Sequence, residues 1–269
     1  MNEIVDPHED ELKILLSKYG NDVEAATAAL RSAADKPRIK KSVVIDGPVL
    51  IKATNLSKDY KVGKQQISAL RNVNLEIRQG EFVAFTGPSG SGKSTLLQLI
   101  GGLDKPSEGT VIVDGQDLKK LGDSALSVFR NKTIGFVFQF FYLQPFLKLQ
   151  TNLEVPAMFA RTKPSEREAV AQKLAEAVGL SDRLHHLPKE LSGGQMQRAA
   201  IARALLNKPK VILADEPTGN LDSTNGQAII DLFEQVRKDF GTTIIVVTHD
   251  KNIADRADRE IALKDGVIV

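Results

Sequence analysis

The sequence predicts an α/β protein: a mixed β core with an antiparallel β layer and a helical arm, preceded by a small α-helical hairpin. Three observations carry this. Gly87-Pro88-Ser89-Gly90-Ser91-Gly92-Lys93-Ser94-Thr95 sits between a short apolar stretch and a helical one. Lys210-Val-Ile-Leu-Ala-Asp215-Glu216-Pro217 is an apolar run that closes on two acids. Leu191-Ser192-Gly193-Gly194-Gln195 opens a helix about a hundred positions after the first loop.

The chain begins outside that frame. Leu12, Leu15, Leu16 and Tyr19 fall at i, i+3, i+4 and i+7, a helical stripe. After Gly20, Asn21 is placed to cap a second helix with Glu24 three residues on, and Val23, Ala26 and Leu30 form its stripe. Residues 1–35 therefore read as a helical hairpin. Residues 36–48 read as a basic, Pro- and Gly-containing linker to the domain at 49–269.

Strands near 49–56, 70–77 and 110–114 are expected to form the antiparallel layer. Strands at 82–86, 134–138, 211–214, 243–248 and 260–263 are the core, and residues 140–208 form the helical arm. The stretch at 82–86 is apolar and rich in β formers, and a helix opens at Lys93. Between them the residues fit G-x-x-x-x-G-K-[ST] in its proper strand-to-helix setting. Glycines there let backbone N–H groups curl round a phosphate, and the helix N-terminus adds partial positive charge. Lys93 would bridge the β- and γ-phosphates of a bound nucleotide, and Ser94 would ligate Mg²⁺.

The run at 211–214 makes poor sense as a solvent-facing strand. It suits a central strand delivering Asp215 and Glu216 to the C-terminal edge, where ligands bind in open α/β sheets. Asp215 would hold Mg²⁺, and Glu216 would polarise the attacking water as general base. The plainer reading is an acidic loop after a core strand. Ser192-x-x-Gln195 matches a capping box. A cap leaves Gly193 and Gly194 unexplained, since each glycine costs a helix about 1 kcal/mol against alanine. A close approach to this backbone, for instance by an anion, is expected.

Residues 49–269 resemble the nucleotide-binding subunit of an ATP-binding-cassette (ABC) transporter, a P-loop NTPase fold. The Lys93 loop resembles the family's Walker A, and Asp215-Glu216 its Walker B. Leu191 to Gln195 match its signature motif, Gln139 its Q-loop glutamine, Asn220-Leu221-Asp222 its D-loop, and His249 its switch histidine. Tyr60 sits where the family places an aromatic ring against adenine; packing within the sheet is the alternative. The resemblance implies ATP and Mg²⁺, with Gln139 joining Ser94 and Asp215 around the metal. It also implies two copies of the chain in a head-to-tail sandwich, each ATP lying between one copy's Lys93 loop and the other's Ser192-Gly193-Gly194. It further implies a membrane permease on a separate chain and a place at the cytoplasmic face of the cell membrane.

Phe138-Gln-Phe140-Phe-Tyr142-Leu-Gln-Pro-Phe146 is aromatic-dense for a chain only 5% aromatic. Rings exposed beside Gln139 would suit a docking groove for a partner's helix. With Gly101-Gly-Leu-Asp104 this stretch is similar to the macrolide-export and lipoprotein-release branch, whose members transmit force across the membrane. Cell-division ATPases of the same superfamily share much of the pattern. A DNA- or ribosome-acting ABC ATPase is a rival, disfavoured because residues 139–192 are too few for a long coiled coil and one chain carries one cassette.

Composition narrows the remainder. Hydrophobic content of 42% supports a core, yet no apolar run reaches the roughly 18 residues of a membrane span. The opening residues are acidic and polar, unlike a signal peptide, and there is no cysteine for disulfide or thiolate chemistry. A net charge of +2 gives no nucleic-acid footprint. His185 and His186 are adjacent and read as surface residues, and His8 is given no role. The last strand lies close to Val269, so no C-terminal regulatory domain is expected. The phrase Tyr19-Gly-Asn-Asp-Val-Glu-Ala-Ala26 weakly resembles small ubiquitin-associated domains, so the hairpin is either a binder of an unknown protein or a tethered appendage.

Overall fold

A computed structural model describes residues 47–63 and 65–269. The expected hairpin at 1–35 and most of the linker lie outside the described residues. Gly47 and Pro48 lead without regular structure into the first strand.

Two sheets organise the described residues. One has four strands: β1 (Val49–Val62), β2 (Gln65–Arg78), β4 (Glu108–Val113) and β5 (Gln116–Asp117), in the order β2-β1-β4-β5 and antiparallel throughout. The other has six: β3 (Phe82–Thr86), β6 (Ile134–Phe138), β7 (Val211–Asp215), β8 (Thr243–Val247), β9 (Arg259–Lys264) and β10 (Val267–Ile268), ordered β10-β9-β3-β8-β7-β6. Pairing from β9 to β6 is parallel, and β10 closes the edge antiparallel.

Continuous apolar strands require both faces to be covered, and they are. Phe82, Ala84, Ile212, Ala214, Ile244 and Val246 face one core, with α3 (Leu149–Phe159), α4 (Pro164–Ala177), α5 (Gly193–Leu205), α6 (Ser223–Phe240) and α7 (Lys251–Arg256). Val83, Phe85, Val211, Leu213, Ile245 and Val247 face the other, with the antiparallel sheet, α1 (Lys93–Ile100) and α2 (Asp123–Thr133). The alternation of odd and even residues between two cores is the strand period of two acting on side chains that are all apolar. Phe82 and Phe85 are wholly buried, each contributing about 1.5–3 kcal/mol of burial free energy.

The expected core strands are present with shifts of a residue at their ends. The antiparallel pair is longer than expected. β1 runs on through the polar Ser57-Lys-Asp-Tyr60-Lys, and its pairing with β2 contains several register shifts. Its apolar pattern ends at Leu56, so backbone pairing alone continues the strand. The helical arm spans α3 to α5, within the expected 140–208.

Candidate active site

The register of the parallel strands brings four strand ends together. Phe138 pairs with Asp215, Asp215 with Val247, and Val247 with Phe85. The residues that follow these ends are therefore neighbours: the loop from Gly87, then Gln139, Glu216 and His249. This is the carboxyl edge where open α/β sheets bind ligands.

The loop at Gly87 is built for close approach. Gly87 has φ 133°, and a Cβ there would lie 2.0 Å from the Leu263 carbonyl oxygen. Gly92 has φ 102°, and its Cβ would meet the Ala69 carbonyl oxygen at 2.5 Å. Only glycine fits either position. Gly92 is also the N-cap of α1 and offers no side-chain cap, so the first N–H groups of α1 stay available to an anion. The Ser91 hydroxyl is buried in the same loop with no protein partner, an orphan that an oxyanion would satisfy. Lys93 is buried, and its ammonium donates to the carbonyls of Gly87 and Pro88, both at 2.9 Å. Pro88, Ser89 and Gly90 form the exposed crest of the loop.

Ser94 Oγ donates to Asp215 Oδ1 at 3.1 Å. Burial raises the Asp215 carboxyl above the ordinary range, and Glu216 beside it adds to the rise, while Ser94 and Lys93 oppose it. Glu216 stands in the left-handed region at φ 46°, its N–H donating to the Val247 carbonyl at 2.9 Å. Such a conformation in a non-glycine residue costs about 1–3 kcal/mol and collects at functional sites. Glu216 Oε1 lies 3.4 Å from His249 Nδ1, and the histidine side chain is 71% exposed. Ser94, Phe138, Gln139, Phe140, Tyr142, Asp215 and Glu216 line one cavity of about 250 Å³. Ser94, Gln139 and Asp215, each with a side-chain oxygen, thus share that cavity. One carboxylate with neutral oxygens suits Mg²⁺, which keeps waters and substrate phosphates as its other ligands.

Gln139 is tied to the segment after β7. Asn220 Nδ2 donates to the Gln139 carbonyl at 2.9 Å, and Gln139 Nε2 reaches Asn220 Oδ1 at 3.4 Å. Asp222 caps α6: it accepts from Asn225 N at 2.8 Å and from Asn225 Nδ2 at 2.7 Å, contacts that hold its carboxyl below the usual range.

The capping box at Ser192 forms in full. Ser192 Oγ accepts from Gln195 N at 3.3 Å, and Gln195 Oε1 accepts from Ser192 N at 2.9 Å. The two glycines separate in role. A Cβ on Gly194 would lie 2.4 Å from Asn225 Oδ1, so the close neighbour expected there is supplied by this chain itself. Gly193 has nothing nearer than the Leu221 side chain at 3.5 Å. None of Leu191 to Gln195 lines the cavity at Ser94 and Glu216. Leu191 is buried in the core beneath the helix start.

Tyr60 reaches the helix that follows the loop. Its hydroxyl donates to Asp104 Oδ2 at 2.9 Å and hydrogen-bonds Thr95, and burial followed by the Asp104 contact raises the phenol above its ordinary range. Asp104, Lys58 and Asn225 escaped the sequence reading, as did the tie between Asn220 of the D-loop match and Gln139. Asp104 stood in a quoted stretch without a role, and its 44-residue separation from Tyr60 leaves no local signal. Arg203 was missed as well. Burial lowers its basicity, and it donates to the carbonyls of Tyr142 at 2.6 Å and Phe141 at 2.9 Å, holding the aromatic loop to α5.

Comparison with known proteins agrees with this geometry. A family model described as ABC transporter matches residues 70–219. An uncharacterized ABC transporter ATP-binding protein of Bacillus subtilis (strain 168), YknY, is 47% identical over 220 residues, 82% of this chain and 95% of that protein. The macrolide export ATP-binding/permease protein MacB of Rhodopirellula baltica is 47% identical over 221 residues, 81% of this chain but 32% of that protein. The solved dimeric structure of the ATP-binding cassette MJ0796 in a post-hydrolysis state, bound to ADP and Pi, superposes with a TM-score of 0.76 at 47% identity, covering 81% of this chain and 96% of that one. The phosphate loop, the paired acids at the strand edge and these relatives place the chain in the ABC transporter family, as an ATP-binding cassette that hydrolyses ATP.

Proposed function

We propose that two identical copies of this cassette close around two ATP molecules and drive a separate membrane permease, from the cytoplasmic face of the membrane. The division of the site carries the reading. Lys93, Gln139, Asp215, Glu216 and His249 gather at one sheet edge, whereas the capped α5 start, with Gly193 open, does not line that cavity. A second copy would bring its Ser192-Gly193 backbone to the first copy's ATP. The relative bound to ADP and Pi is dimeric, which supports this.

Within each half, the N–H groups at the start of α1 and the orphan Ser91 hydroxyl bind the phosphates, and Lys93 exchanges its two carbonyl contacts for them. Ser94, Gln139 and Asp215 would hold Mg²⁺, which supplies charge neutralisation at the phosphates when bound. Glu216 takes a proton from the attacking water as general base. Its strained backbone and the hydrogen bond to Val247 hold its carboxylate at the strand edge. His249, close to Glu216 and exposed, orients toward the γ-phosphate. Tyr60 stacks on the adenine.

A groove of about 770 Å³ runs between α2, β6 and α3, lined in part by Phe136, Phe138, Phe159, Arg130, Arg161 and Arg203. Phe159 is 81% exposed. Among the described residues no helix is long and apolar enough to cross a membrane, so the spans would belong to the partner whose helix this groove receives. Likeness to the macrolide export protein supports a partner of the export, lipoprotein-release or force-transmitting kind. Tagged Glu216→Gln protein with ATP, used to pull down from detergent-solubilised membranes, should recover a protein with membrane spans. Phe159→Asp should lose that protein while retaining ATP binding. Recovery of ribosomal or DNA-bound proteins alone would contradict the permease.

A further inference from the structure

Lys58, Tyr60 and Asp104 form a cluster that phosphate binding does not use. Lys58 and Tyr60 are two apart on β1 and so share a face. The Lys58 ammonium donates to Asp104 Oδ1 at 2.7 Å and to the Lys105 carbonyl at 2.8 Å, and sits 4.9 Å from the centre of the Tyr60 ring. Asp104 Oδ2 takes the Tyr60 hydroxyl, and Asp104 Oδ1 also accepts from Lys105 N at 2.7 Å. The Lys58 side chain is only 12% exposed, so the ion pair is well shielded. Burial works to raise Asp104, yet the Lys58, Tyr60 and backbone contacts outweigh it and hold the carboxyl below its usual range.

Asp104 lies just past the C-terminal end of α1, and Thr95, the other partner of the phenol, lies in its first turn. The helix that carries the phosphate loop and the turn after it therefore both hold the Tyr60 hydroxyl. We propose that Asp104 and Lys58 are positioning residues for base recognition: Asp104 fixes the ring through its hydroxyl, and Lys58 backs one ring face so that the opposite face receives the adenine. This rests on Tyr60 being the stacking residue. A cation on one face and a base on the other give the ring attractive contacts on both sides.

The test compares KM and kcat for ATP with inhibition by inorganic tripolyphosphate, a probe without a base, in the full chain. Asp104→Ala should raise KM for ATP about fivefold, with kcat and tripolyphosphate inhibition unchanged. Asp104→Asn, which keeps an acceptor, should recover most of the loss. Tyr60→Phe should raise KM similarly, and its double variant with Asp104→Ala should be no worse than either single change. If Asp104→Ala weakens ATP and tripolyphosphate alike, the residue acts on the phosphate loop and the proposal is overturned. If Tyr60→Ala raises KM but neither Asp104 variant nor Tyr60→Phe does, stacking stands and positioning fails. If Tyr60→Ala leaves KM unchanged, the stacking reading itself fails.

Discussion

Asp215 shows at the scale of one residue how this site trades stability for chemistry. Its carboxyl is raised by burial first and by Glu216 next. The folded state therefore takes up a proton more readily than the unfolded chain. Its contribution is most favourable at pH below the ordinary carboxylate range and is lost as pH rises through the raised value. Asp215→Asn should accordingly raise the melting midpoint at pH 7 relative to the parent while abolishing turnover. The difference should shrink in acid, and calorimetry across that range checks it; a lower midpoint at pH 7 would mean the carboxylate is a net stabiliser. His249 is a contrasting case. With its side chain exposed it holds little of the fold together. His249→Ala should lower kcat about 10²-fold or more with the melting midpoint unchanged.

The start of α5 separates two glycines that look alike in sequence. Gly193→Ala should stabilise the fold by about 1 kcal/mol or less through helix propensity, since no neighbour obstructs a Cβ, yet eliminate ATP turnover. Gly194→Ala should destabilise, because its Cβ would run into Asn225. Denaturant titration beside an ATPase assay distinguishes them, and equal effects on stability would contradict the assignment. Ser192→Ala should cost about 1 kcal/mol through the lost cap. The capping box was legible because its four residues are contiguous. So were the core strands, because both faces of the parallel sheet are covered and their residues are apolar throughout. The neighbour at Gly194 was not legible: Asn225 comes from a different helix, and the sequence pointed to an anion instead. The polar ends of β1 and β2 were missed because backbone pairing extends past the last apolar residue, and β5, two residues long, is too short to carry a pattern.

At the scale of the whole molecule, the proposed dimer requires one chain to present two unlike surfaces of a single site. The nucleotide edge follows from the register of β3, β6, β7 and β8, and from the sequence motifs at their ends. The links that join motif to motif, Asn220 to Gln139 and Asp104 to Tyr60, run between residues 81 and 44 positions apart and emerge only from the fold. Every residue assigned to the site falls between Lys58 and His249. Removal of residues 1–46 should therefore leave ATP turnover within about twofold of the full chain, a change of under 1 kcal/mol; a collapse would make the N-terminal segment part of the machine. The shared site is tested most directly by size-exclusion chromatography with light scattering on Glu216→Gln. Without its general base the protein should hold ATP and run as a dimer in ATP and a monomer in ADP. A monomer in saturating ATP, with nucleotide bound, would contradict a site completed by a second copy.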